Sequence, residues 1–494
     1  MNNSFVFVSV PHIETLYPSA AYGALQPVIK KTNHRSQLVD INIKLKEIAP
    51  EHVFDEVTDW SMYAKSQLSS ESVEWMHTAF AQSIDLNKKG WLGISVFSFA
   101  VTKATEMLLC WLKTQKHNYQ VVLGGNGCMS VLADYNEKEF GTYCLEHNLC
   151  DFVVFGEGEL ALENLLSGNS DYPGINNTNF KQIKNLDDLD YPDYSGIDWN
   201  RYHDPRIMVT GSRGCVRNCT FCDIALSWPK FSYRSAHKLV DEIKMMVHEH
   251  GMTKFEFTDS LINGSVSNFN RFNELLINEK ARDPALEPVT YMGQFICRSQ
   301  KTMPASTYEL MHYAGCNQIT VGIESFSERV RYHMKKKFSD SDIDYHFEQC
   351  ARWAIPNVLL MIVGYPTETL SDHRANIRAL EKYQIYSDMG VIFMVRWGFT
   401  MTIFEGSPIS AMKNELELIE IDQGSADSVF NWISEKNPDL DLAERIRRRL
   451  QLHQLGFKLG YAMPNSKKEL TTLLELSRDL KDQQDKKIPV ILTE

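Results

Sequence analysis

Three cysteines stand close together in this chain, Cys215, Cys219 and Cys222, within the stretch Gly-Cys-Val-Arg-Asn-Cys-Thr-Phe-Cys. The stretch is short and polar, so it has no room to bury three separate thiols in a core. A loop of this length can instead wrap its sulfurs around one corner of an iron–sulfur cluster. A fourth cysteine is missing nearby, which leaves one iron without a protein ligand and open to a second molecule.

Two other interpretations of the cysteine loop are structural zinc and chance clustering. Zinc needs a fourth ligand, and the nearest downstream histidine, His237, lies fifteen residues past Cys222 within a predicted helix. A disulfide framework is not expected in a chain of 494 residues without a secretory signal. The other cysteines are scattered and are interpreted as buried thiols: Cys110, Cys128, Cys144, Cys150, Cys297, Cys316 and Cys350.

The aromatic residue Phe221 directly precedes the third cysteine, where its ring can pack on a flat heterocycle bound beside a cluster. The complete signature, Cys-x-x-x-Cys-x-aromatic-Cys, resembles that of the radical S-adenosylmethionine (SAM) superfamily. The resemblance implies that Cys215, Cys219 and Cys222 hold a [4Fe-4S] cluster whose open iron chelates the amino and carboxylate groups of SAM. It also implies cleavage of the sulfonium to a 5′-deoxyadenosyl radical, chemistry that the cofactor supplies.

Two carboxylates are candidates for binding SAM. Asp259 stands in Thr-Asp-Ser, where relatives often show a Gly-Gly-Glu that holds the amino group of SAM; an acidic helix cap is the alternative. Glu324 ends the predicted strand Asn317–Ser325 and is our candidate for the ribose hydroxyls, with a cap of the helix Phe326–Met334 as its alternative. Four arginines lie near the same predicted strand ends and are left unassigned: Arg213, Arg217, Arg298 and Arg396.

The elements that must position these residues form an α/β pattern from Arg206 onward. Six strand–helix units predict a partial (β/α)6 barrel of the TIM type, with the cysteine loop directly after its first strand, Ile207–Thr210. That placement puts the loop at the carboxyl end of a strand, the usual active face of a barrel. The runs Gly-Ile-Glu-Ser and Gly-Tyr-Pro-Thr-Glu-Thr resemble those of the cobalamin-dependent branch of the superfamily.

The N-terminal third alternates apolar strands with helices, which predicts a doubly wound, Rossmann-like domain with ligands at the carboxyl ends of its strands. Its predicted strands are Phe5–Val10, Gln37–Ile43, Trp91–Ser98, Val121–Asn126 and Asp151–Glu159. Candidate ligand-binding residues at the strand ends are Ser95, Gly124, Gly125, Gly156 and Glu157, together with Gly158. The alternative is that these glycines only make tight strand-to-helix turns.

The Gly-Gly after the fourth strand and the Gly-Glu-Gly-Glu after the fifth resemble the cobalamin-binding domain that precedes the barrel in one large family of radical SAM enzymes. The resemblance implies bound cobalamin. No Asp-x-His-x-x-Gly follows the first strand, where only His12 and Glu14 appear, so a histidine ligand to cobalt is not expected. The predicted domains are 1–168 (cobalamin-binding), 169–205 (linker), 206–404 (barrel) and 405–494 (helical).

The composition limits which binding partners and which cellular location are expected. The net charge of −12 argues against a general nucleic-acid surface, and the apolar run Phe5–Val10 is too short to span a bilayer. We therefore expect a cytoplasmic protein without a membrane partner, for which nucleic acid is not the default partner. The segment from Glu405 onward is interpreted as a helical cap over the active site. Its arginines are interpreted as a solvated helix face rather than a phosphate site: Arg445, Arg447, Arg448 and Arg449.

Together these features predict a cobalamin-dependent radical SAM methyltransferase acting on an unactivated carbon or phosphorus. Its expected partners are a small-molecule or peptide substrate and a one-electron reductant of the flavodoxin or ferredoxin type. The alternatives are a radical enzyme that rearranges or cyclises its substrate without net methylation, and an iron–sulfur redox sensor. A methylthio-transferring enzyme of nucleic acid is weaker. The spacing of Cys110, Cys128, Cys144 and Cys150 is loose for a second cluster, and no basic terminal domain follows.

Overall fold

The computed structural model describes residues 4–11, 17–63, 67–131, 135, 138–398, 400–403, 406–420 and 432–463. His12, Glu14 and Glu405 lie outside these residues. The described residues form two compact units. The first takes those within Met1–Gly214 and Ser227–Glu256, and the second takes those within Cys215–Leu226, Phe257–Gln423 and Asp427–Glu494.

The N-terminal part of the first unit contains a five-stranded parallel sheet. Its strands are β1 (Ser4–Ser9), β2 (Arg35–Asp40), β3 (Lys89–Ser95), β4 (Asn118–Gly124) and β5 (Phe152–Val154). They lie in the order β2-β1-β3-β4-β5. This order is that of a doubly wound sheet, in which neighbouring strands connect through helices on both faces. The Rossmann-like prediction is confirmed.

Both faces of this sheet are buried, which explains the continuous apolar runs of its strands. Along β1, Val6 and Val8 pack into one core with Leu92. Phe5 and Phe7 pack into the other core with residues of the first helix and of β5. The helices are α1 (Ala20–Lys31), α2 (Ile41–Ile48), α3 (Glu51–Tyr63), α4 (Ser70–Ser83), α5 (Thr102–Thr114), α6 (Phe140–Glu146) and α7 (Gly158–Leu166).

The predicted second strand extends too far into the chain. It ends at Asp40, whose side chain accepts a hydrogen bond from the backbone N–H of Ile43 at 3.1 Å and caps α2. Ile41 and Ile43 are therefore helical. Their apolar side chains fit either a buried strand or the buried face of a helix, and the capping aspartate decides in favour of the helix.

The predicted linker, 169–205, packs on the first unit. Ile175 forms a β-bridge with Val154. Tyr194 is buried against Gly23 of α1, and the Gln26 side chain donates to the backbone carbonyl of Asp193 at 2.7 Å. The buried aromatic ring and the amide hydrogen bond thus hold this turn-rich segment in place.

A second sheet has six strands, as predicted for the barrel, and they follow one another in chain order. The strands are β6 (Ile207–Val209), β9 (Lys254–Phe257), β10 (Thr290–Phe295), β11 (Cys316–Glu324), β12 (Asn357–Met361) and β13 (Ile392–Trp397). Their order in the sheet is β13-β12-β11-β10-β9-β6. From β10 to β13, neighbouring strands are parallel. Parallel strands in chain order are the arrangement of a TIM-type barrel.

Two small antiparallel pairs complete the strands: β7 (Ser212–Arg213) with β8 (Ser232–Tyr233), and β14 (Leu418–Glu420) with β15 (Trp432–Ser434). The remaining helices are α8 (Ile224–Ser227), α9 (Ala236–His250), α10 (Val266–Arg282), α11 (Ala305–Ala314), α12 (Glu328–His333), α13 (Asp340–Arg352), α14 (Leu370–Asp388), α15 (Pro408–Ala411), α16 (Lys413–Leu416) and α17 (Leu442–Lys458). Among the described residues, no helix combines the length and apolar character needed to cross a bilayer.

The interpretation of the α17 arginines as a solvated face is wrong for three of the four. Arg445, Arg448 and Arg449 are buried, whereas Arg447 is exposed and pairs with Glu444. Arg448 donates to the Glu368 carboxylate at 2.9 Å, and Arg449 donates to backbone carbonyls of the segment after β13. These three buried side chains attach α17 to the barrel.

Candidate functional site

The three thiols of the cysteine loop lie in one neighbourhood of the second unit. Cys219 is buried, and Cys215 and Cys222 are partly buried. Burial raises the pKa of the Cys222 thiol to about 11, and each of the other two cysteines adds to that rise. Burial also raises the pKa of Cys219, against the opposing effect of the Lys336 ammonium. Such thiols are protonated at neutral pH and release protons when they bind a metal.

The second and third cysteines are joined by a tight turn, since the backbone N–H of Cys222 donates to the carbonyl of Cys219 at 3.2 Å. The N–H of Arg217 points at the Cys215 sulfur at 3.4 Å. Such N–H···S contacts are typical of loops that present thiolates to iron. The loop thus presents three sulfurs from eight consecutive residues.

In the described part of the chain, no three His, Cys, Asp or Glu side chains converge closely enough to hold a single metal ion. An iron–sulfur cluster does not require that convergence. Each thiolate binds a different iron, so the sulfurs surround the cluster at its corners. The donor set of three thiols in one loop fits that arrangement.

Phe221 is half-buried and packs against an apolar cluster that includes Met334, Tyr365 and Trp432. The ammonium of Lys336 lies 5.6 Å from the centroid of the Phe221 ring. Part of the Phe221 ring, which the sequence predicts to pack on a flat ligand, is therefore in contact with the protein. A cation over an aromatic face is a favourable contact in a desolvated site.

Glu324 ends β11 as predicted, but it does not cap the following helix. That helix, α12, is capped by Ser327, whose hydroxyl accepts from the backbone N–H of Val330. The Glu324 carboxylate is buried and pairs with the Lys336 ammonium at 3.1 Å. The helix-cap alternative is wrong, and Glu324 is left as an inward-facing carboxylate.

The backbone around this pair is in an uncommon conformation. Glu324 has φ 64°, at a bulge between β11 and β12. A Cβ added to Gly322 would lie 2.8 Å from the Lys336 nitrogen, so the pair occupies the space above that glycine. A left-handed glutamate costs energy and is kept where its surroundings enforce it, which is common at functional sites.

Lys336 is a residue that the sequence analysis missed. It lies in Met-Lys-Lys-Lys-Phe, which reads as a charged turn. In the structure its two neighbours, Lys335 and Lys337, have φ values of 59° and 56°. These residues turn the middle lysine inward, where it is buried. Its nearness to Cys219 and Glu324 comes from packing and leaves no local sequence signal.

Asp259 is buried just after β9. Its alternative role as a helix cap is also wrong, because α10 begins at Val266 and is capped by Ser265. The predicted contact of Asp259 with the amino group of SAM stays a prediction.

Two of the four unassigned arginines form ion pairs or hydrogen bonds within the protein. Arg213 pairs with Glu157 at 2.8 Å and with Glu159. Arg298 donates to the backbone carbonyls of Asn263 and Gly264 at 2.8 and 3.0 Å. Neither arginine is therefore assigned to a ligand carboxylate.

In the first unit, the predicted ligand residues do lie along one edge of the sheet. Ser95 is in register with Gly124, and Gly124 is in register with Val154, two residues before Gly156. Gly125 and Gly156 have φ values of 113° and 77°, so turn geometry alone accounts for these glycines.

Gly124 is different. A Cβ added there would meet only Val154, at 3.7 Å, which is ordinary contact distance. Its lack of a side chain therefore has no explanation in the packing of the protein. A bulky ligand approaching the strand end would explain it.

The Glu157 carboxylate is engaged within the protein, where it accepts from Arg213 and from the backbone N–H of Ile183. In the turn at Gly156 and Glu157, the backbone rather than the carboxylate is the candidate contact for a ligand. Large apolar side chains are exposed in the segments that follow the strands of this edge: Phe97 (47%) and Phe99 (46%) after β3, and Leu160 (41%) in α7. An open glycine beside exposed aromatic side chains fits a flat, partly apolar ligand such as cobalamin.

The profile of the radical SAM superfamily matches residues 209–380 of this chain. The matched stretch contains the cysteine loop, Asp259, Glu324 and Lys336. These residues form a radical SAM domain.

Solved structures of cobalamin-dependent radical SAM proteins have the same fold as this chain. The radical SAM methyltransferase TsrM from Kitasatospora setae, solved with cobalamin and a [4Fe-4S] cluster, gives a TM-score of 0.66 at 14% identity, covering 98% of this chain and 100% of TsrM. OxsB, solved with aqua-cobalamin and SAM, gives a TM-score of 0.60 at 14% identity over 97% of this chain and 71% of OxsB. The predicted fold class, a Rossmann-like domain followed by a TIM-type barrel, is confirmed.

Among curated relatives, an uncharacterized methyltransferase of Pyrococcus horikoshii is 24% identical over 254 residues. The match covers 48% of this radical SAM protein and 53% of the relative. The chain thus spans about half the length of that relative.

Proposed function

We propose that this protein is a cobalamin-dependent radical SAM methyltransferase acting on an unactivated carbon or phosphorus of a small-molecule or peptide substrate. The observation that carries the proposal is the loop of three neighbouring thiols beside the buried Glu324–Lys336 pair. The names of similar proteins, methyltransferases among them, support the reaction class.

In this proposal Cys215, Cys219 and Cys222 hold the [4Fe-4S] cluster. Glu324 accepts the ribose hydroxyls of SAM, Asp259 accepts from its amino group, and Phe221 packs beside its adenosine portion. Lys336 pairs with the Glu324 carboxylate at 3.1 Å and holds it in place for the ribose. When bound, the cluster and SAM supply the radical that abstracts substrate hydrogen, and cobalamin supplies the methyl group.

The cobalamin would lie at the carboxyl edge of the first sheet, over Gly124, with Ser95 and the backbones of Gly125, Gly156 and Glu157 at its border. The contribution of the protein there is space and exposed apolar surface. We propose further that a one-electron reductant of the flavodoxin or ferredoxin type serves the cluster and that the enzyme works in the cytoplasm.

Anaerobic reconstitution with iron, sulfide and cobalamin tests this proposal. We expect brown cluster absorbance, and release of 5′-deoxyadenosine when SAM and a reductant are added. Cys219→Ala should abolish both, whereas Cys110→Ala, which removes an exposed thiol outside the loop, should change neither. Full cluster content in Cys219→Ala would rule out the assigned ligand set.

Methyl-labelled SAM separates the two enzymatic interpretations even before a substrate is known. For a methyltransferase, we expect label to pass from SAM to the protein-bound cobalamin. A rearranging or cyclising enzyme would make 5′-deoxyadenosine without that transfer. A redox sensor would load the cluster and produce no 5′-deoxyadenosine.

A further inference from the structure

We propose that Tyr365 is a positioning residue for the cysteine loop, and that its hydroxyl holds the loop in the form that binds the cluster. The inference rests on the proposed function only in taking this loop as the cluster loop. Its evidence is a set of contacts that converge on Thr220, the residue between Cys219 and Phe221.

Thr220 is fully buried, and every polar group it has is in use. Its backbone N–H donates to the carbonyl of Met334 at 3.2 Å, and its own carbonyl accepts from Ile409 at 2.7 Å. Its hydroxyl lies 2.9 Å from the Tyr365 hydroxyl. The loop is therefore attached at this one residue to α12, to α15 and to the segment after β12.

Tyr365 is itself held in place. Its ring belongs to the apolar cluster that contains Met334, Ile409 and Trp432, and only 1% of the residue is exposed. Its hydroxyl donates to the carbonyl of His333 at 3.3 Å. The tyrosine oxygen is then free to accept from Thr220, which gives a chain of two hydrogen bonds from the loop to α12.

The segment that carries Tyr365 is fastened from the other side by α17. Glu368 accepts from the backbone N–H of Gly364 at 3.0 Å and from Arg448 at 2.9 Å. Arg445 stacks on Trp432 at 3.8 Å from the ring centroid. The tyrosine thus lies between a rigid support and the cysteine loop.

A loop that presents three thiolates must hold them in one geometry, because partners behind the ligands orient them and tune the bound metal. Thr220 connects two residues of the binding motif, so movement there displaces the sulfur of Cys219 directly. Loss of the Tyr365 hydroxyl removes the side-chain link to α12, while the backbone bond from Thr220 to Met334 stays and the ring continues to fill the core.

The test compares Tyr365→Phe, Thr220→Val and the double variant with the natural protein. In the cluster-free protein we expect alkylation of Cys219 to be about three- to tenfold faster in each single variant, because one buried hydrogen bond no longer opposes opening of the loop. Cys219 in the double variant should be alkylated at the same rate as in the single variants. Thr220→Ser, which keeps the hydroxyl, should be alkylated at the rate of the natural protein. In reconstituted protein, iron loss to a chelator should accelerate likewise, with an altered EPR spectrum of the reduced cluster.

Tyr461→Phe is the matched control, since this buried tyrosine donates to the carbonyl of Leu380 at 2.6 Å, away from the loop. Equal alkylation rates in Tyr365→Phe and Tyr461→Phe would overturn the inference. The inference would also be overturned if the rate increases of Thr220→Val and Tyr365→Phe multiplied in the double variant. Alkylation is measured in protein without a cluster. The inference can therefore be tested even if reconstitution fails and the proposed function proves wrong.

Discussion

At the scale of single residues, the candidate site depends on two opposite charges taken out of water together. Glu324 and Lys336 are both buried, and the lysine also faces the Phe221 ring and the thiol of Cys219. A buried ion pair adds little stability over apolar side chains, yet breaking it leaves an uncompensated charge. Stability alone therefore does not explain the pair, and we infer that it is kept for the proposed role of Glu324 at SAM.

Replacing one partner should show that dependence. We expect Lys336→Met to lower the free energy of unfolding by about 3–5 kcal/mol, because Glu324 stays buried without its cation. Adding Glu324→Gln should recover part of the loss. Denaturant unfolding of the cluster-free protein measures both effects. The control is Lys382→Met, which removes an exposed pair with Asp344 at 2.5 Å and should cost less than about 1 kcal/mol. Equal losses in the two lysine variants would show that Lys336 is not a buried partner.

At the scale of elements, buried side chains attach helix α17 to the barrel, and we infer that the helix supports it; the predicted role as a cap over the active site stays a prediction. Three of its arginines are buried, and they bond to the segments after β12 and β13. A lid would leave the fold intact when loosened and change only the access of substrate. A support reduces stability and cluster retention when it is loosened.

Arg448→Met separates the two roles. It removes the buried partner of Glu368, and we expect a loss of about 3–5 kcal/mol in the free energy of unfolding together with faster loss of iron. Arg447→Met, one residue earlier on the exposed face, should change stability by less than about 0.5 kcal/mol. Unfolding curves and iron release for the two variants give the answer. Natural stability in Arg448→Met, with a changed KM alone, would favour the lid.

At the scale of the whole molecule, the two proposed cofactor sites are built by different units. The cysteine loop and its partners fall in the second unit, and the glycine-bearing strand ends fall in the first. The contacts of Glu324 and Thr220 described above lie within the second unit, and those of Gly124 and Glu157 lie within the first. We therefore expect the loading of the two cofactors to respond to different substitutions.

Gly124→Ala tests this separation. Its added methyl group has room at 3.7 Å from Val154, so the free energy of unfolding should stay within about 1 kcal/mol while cobalamin binding weakens. Cluster content should be unchanged. Gly156→Ala should instead destabilise the fold, since φ is 77° there and the ring of Phe180 fills the space. Absorbance of bound cobalamin, iron content and unfolding curves check the three expectations. Natural cobalamin affinity in Gly124→Ala would remove that strand end from the site.

The sequence by itself determined the cysteine loop, the alternation of strands and helices in both sheets and the glycines at the strand ends. These features are local: a spacing of three residues, a periodicity or a turn is complete within a few consecutive positions. Only the tertiary structure decided which side chains meet. Lys336 reaches Glu324 across twelve residues, and Tyr365 reaches Thr220 across 145. The buried arginines of α17 had the local pattern of a solvated face, and Asp259 and Glu324 had that of helix caps. Packing between distant segments decides such cases, because it determines which charges lose water and which partners replace it.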